Sequence, residues 1–150
     1  LVLESDILYE CRALDEVLSA EGDDVVLVSG PTEAGDEVWV CGPDDGRVRE
    51  ISKEPSDEWP RQGELVGISR LSAATLARMA ESHRAAGQAA AQEHYEERIA
   101  AVAPERDVRW HRVDDLIWTE TDTPEQLNRA ERFVLPAIQR REEGQEGDGG

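Results

Sequence analysis

Hydrophobic residues occur along this chain in short runs whose spacing alternates between that of a strand and that of a helix. Leu1–Ile7 (LVLESDI) reads as a buried strand whose end carries a carboxylate, Asp6. Glu10–Ala20 then sets Ala13, Leu14, Val17 and Leu18 on one helical face. Glu21-Gly22-Asp23-Asp24 breaks that helix, and the unbroken apolar run Val25–Val28 predicts a strand covered on both faces. Ser29–Asp36, with Gly30-Pro31 and Gly35, reads as a loop. A hairpin follows: Glu37–Cys41, a turn around Gly42-Pro43-Asp44-Asp45-Gly46, and Arg47–Ser52, with Asp-Gly as the turn signal.

Pro55–Gly63 is polar and contains Trp59-Pro60, so it reads as a loop before another strand, Glu64–Ser69. Ser72 is a good helix cap, and the Ala-rich stretch behind it predicts helix to about Val102, bent or broken near Gly87 and punctuated by Pro104. Val108–Val113 and Leu116–Trp118 read as short strands. Thr123-Pro124-Glu125-Gln126 is a capping box with Pro at the first helical position, opening a helix that turns Leu127, Ala130, Val134 and Ile138 inward. Arg140–Gly150 lacks apolar residues and reads as a disordered acidic tail. Strands alternating with helices predict an α/β layered fold, and the hairpin predicts a mixed sheet.

Composition narrows the partners. The 150 residues are enough for one core, and 33% of them are charged, with a net charge of −18. Such a surface does not suit a nucleic-acid backbone, which is bound through clustered Lys and Arg. A nucleotide stays open, because a bound cation reverses the local field. The plainer reading of the charge is a solvating surface with an acidic tail. Cys11 and Cys41 have neither metal-ligand spacing nor a disulfide framework, which suits free thiols in a reducing cytoplasm. No apolar run is long enough to span a membrane, so a cytoplasmic location is expected. Of the 16 basic residues, Lys53 alone is lysine, which marks it either as a wanted ammonium or as a chance survivor of an Arg-rich composition.

Two acids stand at element ends far apart in sequence. Asp6 follows the first strand and Asp122 precedes the last helix. Singly, each has an ordinary explanation: a strand-end turn residue, or a charge favoured by the helix dipole. As a pair they are the kind of oxygen ligands that Mg²⁺ takes in ones and twos. His83, His94 and His111 lack zinc spacing and no Ser or Cys has a nucleophile motif around it. Trp59, Trp110 and Trp118 read as core or rim aromatics.

The order LVLESDI, GRVREISK, GELVGISRLS, EHYEE, WTETDTPEQLNRAE resembles the later half of a sugar-type nucleotidyltransferase domain. The likeness is greatest to the small-molecule cytidylyltransferases that activate phosphocholine or 2-aminoethylphosphonate with CTP, and it covers residues 1–135. It implies a truncated Rossmann-like three-layer α/β/α fold with a mixed sheet: a partial nucleotidyltransferase domain over residues 1–139, then the tail 140–150. The family opens with a Gly-rich loop containing an Arg, and a following Lys, which grip the triphosphate. Neither is present here, and that segment is expected upstream of Leu1.

The resemblance also implies roles. Asp6 and Asp122 match the family's Mg²⁺ ligands. Lys53 falls where related transferases place a Lys near the acceptor phosphate, and Glu64 and Gly67 fall where the family approaches the acceptor. Within Glu93-His94-Tyr95-Glu96-Glu97, Tyr95 and Glu96 match an aromatic-plus-acid pair that faces the acceptor's ammonium, and Trp39 is the expected second wall. The implied partners are CTP or another nucleoside triphosphate and a small zwitterionic phosphate or phosphonate; separately, a doubly wound sheet cut near its middle exposes strand edges, so self-association, as in a homodimer, is expected. Three expectations follow: a cytidylyltransferase or its acceptor-binding half, a sugar-1-phosphate nucleotidyltransferase, or an inactive remnant acting as a binding module.

Overall fold

The computed structural model describes residues 1–32, 35, 37–90 and 94–146. The strands are β1 (Val2–Leu3), β2 (Ile7–Tyr9), β3 (Val25–Ser29), β4 (Trp39–Cys41), β5 (Glu50–Ser52), β6 (Arg61–Arg70), β7 (Arg109–Arg112) and β8 (Trp118–Glu120). The helices are α1 (Arg12–Ser19), α2 (Ala73–Ala86), α3 (Tyr95–Arg106), α4 (Pro124–Arg129) and α5 (Leu135–Glu146). The main sheet runs β5-β4-β6-β3-β7, with β1 also laid along β6, while β2 and β8 form a separate antiparallel pair. Among the described residues only β3 and β7 pair in parallel, so the sheet is mixed, as expected from the hairpin.

The unbroken apolar run of β3 is buried throughout because each of its faces meets a core. Val26 and Val28 join Val40, Ile51, Leu65 and Ile99 on one side, while Val25 and Leu27 join Ala13, Val17, Val66, Ile68 and Trp118 on the other. Side chains alternate across a strand, so one five-residue run serves both. α2 and α3 pack together on the first face, with α3 against β5, and α1 covers β3 and β6 on the second.

Several elements differ from the pattern reading, each for a local reason. Leu1–Ile7 is two strands, not one. β1 pairs with β6, the chain bends through Ser5-Asp6, and β2 leaves to pair with β8. Asp6 thus lies between strands. β6 starts at Arg61, inside the stretch taken as loop, because Arg61 and Gly63 pair with β4. Gly87, at φ +58°, ends α2 in a conformation that L side chains rarely adopt. Pro104 lies inside α3, which continues to Arg106 and stops at Asp107, a left-handed residue with φ +51°.

Leu127, expected inward, is exposed, whereas Ala130, Val134 and Ile138 are buried. A π-helical turn at Ala130–Val134 separates α4 from α5 and resets the helical phase between them. The stretch read as tail is helical as far as Glu146; residues 147–150 lie outside the described residues. Arg141 holds it, donating to the buried Glu10 carboxylate at 2.9 and 3.2 Å and to the Asp115 carbonyl at 2.8 Å. Among the described residues no helix is long and apolar enough to cross a membrane.

Candidate functional site

The crossing from β1 to β2 sets the site. Ile7 lies opposite Glu120 in the β2–β8 pair. One residue further, the Thr121 N–H and hydroxyl both donate to the Asp6 carbonyl, at 2.8 and 2.9 Å. Asp122 follows at once, and its successor Thr123 caps α4 in a capping box with Gln126. Two acids distant in sequence are therefore adjacent across one strand pair. Asp6 is half-buried and Asp122 is exposed.

Glu4 lies at the centre. Its N–H donates to the Gly67 carbonyl at 3.0 Å, and its side chain lies over Gly67 itself. A Cβ built on Gly67 would stand 2.5 Å from Glu4 Oε2 and 3.2 Å from Glu4 Cβ, and Gly67 has φ +79°. Both the space and the backbone conformation therefore require glycine here. Burial raises the Glu4 carboxyl pKa above its ordinary value, opposed by the Tyr95 hydroxyl and reinforced by the carboxylates of Glu96, Asp6 and Asp122. Glu4, Asp6, Asp122 and Glu96 therefore share one face.

Tyr95 opens α3 with its ring packed against the core cluster and its hydroxyl turned to Glu4 and Ser69. Burial and the neighbouring Glu4 push its phenol strongly upward, so it stays protonated. Ser69 is fully buried, and both its Oγ and the Tyr95 hydroxyl are shut off from solvent, so Tyr95, expected at the acceptor, does not line the neighbouring groove. Glu96 and Glu97 occupy the first turn of α3, where the helix dipole favours acids. Glu93 lies outside the described residues.

A groove of about 360 Å³ adjoins this face, lined by Val38, Ile51, Ser52, Lys53, His94 and Glu96 among others. Lys53 and Glu96 both line it. A larger cleft, about 510 Å³, lies off the ends of β3 and β7 between Thr32, Trp118, Arg129 and Phe133. It does not reach the acid cluster.

Two expected site residues are elsewhere. Val40 points into the core that Tyr95 joins, so its neighbour Trp39 projects from the opposite face of β4. Trp39 there lies under the Arg61 guanidinium, 5.1 Å from ring centre to carbon, and is no wall to a pocket at Tyr95. Glu64 is buried opposite Trp39 and Ser29, and accepts the Thr32 hydroxyl at 2.9 Å. It anchors a loop and does not reach the acceptor groove. Conversely, Glu4 and Ser69 belong to the site and were not singled out from the sequence. The signal was there for Ser69, which is two residues from Gly67 in β6, where strand alternation places such neighbours on one side; Glu4 and Asp6 lie between strands and carry no such signal.

The donor set suits a hard divalent cation. Asp6 and Asp122 offer only oxygens, and no group of three or more His, Cys, Asp or Glu able to hold a metal occurs among the described residues. Mg²⁺ needs just one or two protein carboxylates, keeping water and substrate phosphate as its other ligands.

No model of a known protein family matches the chain. Its fold does match solved structures. One, from Bacillus anthracis, is assigned as a glucose-1-phosphate thymidylyltransferase in complex with a sucrose; the TM-score is 0.65 at 13% identity over 88% of this chain and 52% of that one. Another is the inositol-1-phosphate CTP transferase from T. maritima, with a TM-score of 0.55 at 16% identity over 89% of this chain and 53% of that one. The chain thus spans about half the length of these structures, and over that half it has the Rossmann-like mixed α/β fold of the nucleotidyltransferases.

Proposed function

We propose that this chain carries the metal-binding and acceptor-binding side of a nucleotidyltransferase that joins a small phosphate or phosphonate to a nucleotide, with CTP as donor. The observation that supports this most is the adjacency of Asp6 and Asp122 next to a groove holding Lys53 and Glu96. Asp6 and Asp122 would hold Mg²⁺, whose chemistry there is to neutralise charge on the triphosphate. Lys53 binds the acceptor's phosphate or phosphonate and aims one oxygen at the α-phosphorus. That oxygen forms the new P–O bond, and the bond to the β-phosphate breaks with its electron pair leaving on pyrophosphate. Glu96, which lines the groove, receives a cationic group at the acceptor's other end. The acceptor is accordingly a zwitterion, and the acid-lined face serves the cation and the metal together.

The experiment is release of pyrophosphate from CTP and Mg²⁺ with three acceptors in parallel: 2-aminoethylphosphonate, phosphocholine and glucose 1-phosphate. Turnover with a zwitterionic acceptor is expected. The sugar is the second reading, because both structural relatives carry a phosphorylated polyol in their names. Preference for glucose 1-phosphate would favour it, and silence with every acceptor and every nucleoside triphosphate would refute nucleotidyl transfer.

A further inference from the structure

We propose that the cleft off the ends of β3 and β7 binds a small aromatic carboxylate, held by Arg129 and Phe133. The cleft lies apart from the acid cluster, so this assignment is independent of nucleotidyl transfer. At about 510 Å³ it has the size of a small-molecule site. Its floor is apolar: Leu116, Trp118 and Val134, all buried, line it. Its walls are fixed. The Trp118 indole N–H donates to Ser29 Oγ at 2.8 Å, and Glu64 accepts both the N–H and the hydroxyl of Thr32, at 2.5 and 2.9 Å. The cleft therefore exists before any ligand arrives.

Charge and exposure decide what fits. Two charged side chains line the cleft, Asp114 and Arg129. Asp114 is committed to Arg112, whose Nε donates to it at 2.6 Å. Arg129 has no such partner. Among the described residues it meets no carboxylate, and its bond is a long one, 3.4 Å, to the Thr32 carbonyl. A guanidinium thus offers donors to the cleft in a chain whose net charge is −18. Phe133, 62% exposed, stands at the mouth above the apolar floor. Arg129 precedes, and Phe133 lies within, the π-helical turn Ala130–Val134, an irregularity frequent at functional sites. A carboxylate matches the guanidinium fork with two parallel bonds, and a flat ring stacks on the phenyl face while covering the floor. An aliphatic acid satisfies only the first group, and a neutral aromatic only the second.

The test is calorimetric titration of 1-naphthoate and the neutral 1-naphthamide into wild type, Arg129→Gln, Phe133→Ala and Lys53→Ala, with folding checked by circular dichroism. Wild type is expected to bind one naphthoate per chain, about tenfold tighter than the amide, the scale of a charged hydrogen bond. Arg129→Gln should remove that preference by weakening naphthoate alone. Phe133→Ala should weaken both probes about fivefold, the scale of a lost ring contact. Phe133 is exposed, so its variant keeps the fold even if Arg129→Gln does not. Lys53→Ala, which alters the other groove, should bind both probes as wild type does. No binding, equal affinity for acid and amide, or naphthoate binding unchanged in either folded cleft variant would overturn the site. So would naphthoate binding lost in Lys53→Ala, which would place the probe in the acceptor groove.

Discussion

Two groups of acids divide this molecule. Glu10 and Asp24 are buried, at 1% and 3% exposure, and donors surround both. Glu10 accepts from the Ile117 N–H at 2.9 Å and from Arg141, with Arg12 3.5 Å away. Asp24 accepts from the Ser72 N–H at 2.6 Å and the Thr75 hydroxyl at 2.7 Å, fixing the start of α2. Glu4, less buried, faces the carboxylates of Asp6, Asp122 and Glu96, with the Tyr95 hydroxyl as its one opposing partner among the groups that shift it. The first group holds elements together. The second gathers like charges at some cost to stability, and such an arrangement persists where a ligand supplies the missing partners.

Substitutions should separate the groups. Asp6→Asn and Asp122→Asn should each lower turnover by about 10²–10³-fold, the scale of losing one element of transition-state charge stabilisation. Denaturant unfolding of either variant should match or slightly exceed wild type, because neither side chain serves the core and each substitution removes a like charge acting on Glu4. Glu10→Ala should behave oppositely. It strands Arg141 and the Ile117 N–H, so unfolding should show a loss of about 3 kcal/mol, the range for breaking a buried ion pair. Its substrate affinity should be unchanged under conditions where it remains folded.

Gly67→Ala bridges the two groups. The strained backbone should cost roughly 1–3 kcal/mol, and the added methyl should displace Glu4, so stability and turnover fall together. Thr123→Ala should cost about 1 kcal/mol by removing the α4 cap. It should also weaken metal binding, because Asp122 is next to it.

The smallest effect is one of sign. Arg47 holds Asp107, and Arg12 holds Asp115, below the ordinary carboxylate value of 3.8. These two contribute stability above that value and lose it as pH falls through their lowered pKa. Glu4, raised above 4.5, does the contrary, its penalty growing as pH rises through that region. Glu4→Gln should therefore raise the melting temperature at neutral pH, with the gain vanishing in acid below pH 4.5. A melting temperature lowered at neutral pH would show that Glu4 belongs with the first group.

Much of this was legible in the chain, and the exceptions share a cause. β3 was plain because an unbroken apolar run has one stable use, and Thr123-Pro124-Glu125-Gln126 announced its helix because capping is local chemistry. The adjacency of Asp6 and Asp122 followed a resemblance in motif order, and the β2–β8 pairing is what brings them together. Trp39 and Glu64 were misplaced because one position along a strand decides the face, and motif matching does not fix that register. Leu127 was misplaced because a π-helical turn adds a phase shift that no 3.6-residue pattern carries. Glu4 went unread because it lies between β1 and β2, where no strand alternation ties it to Asp6.

The most direct measurement is Mn²⁺ binding followed by electron paramagnetic resonance, with CTP present, in wild type, Asp6→Asn and Asp122→Asn. One bound ion per chain, weakened at least tenfold by either substitution alone, is the predicted result. Mn²⁺ bound equally well by all three proteins would show that the two acids, although adjacent, share no ion.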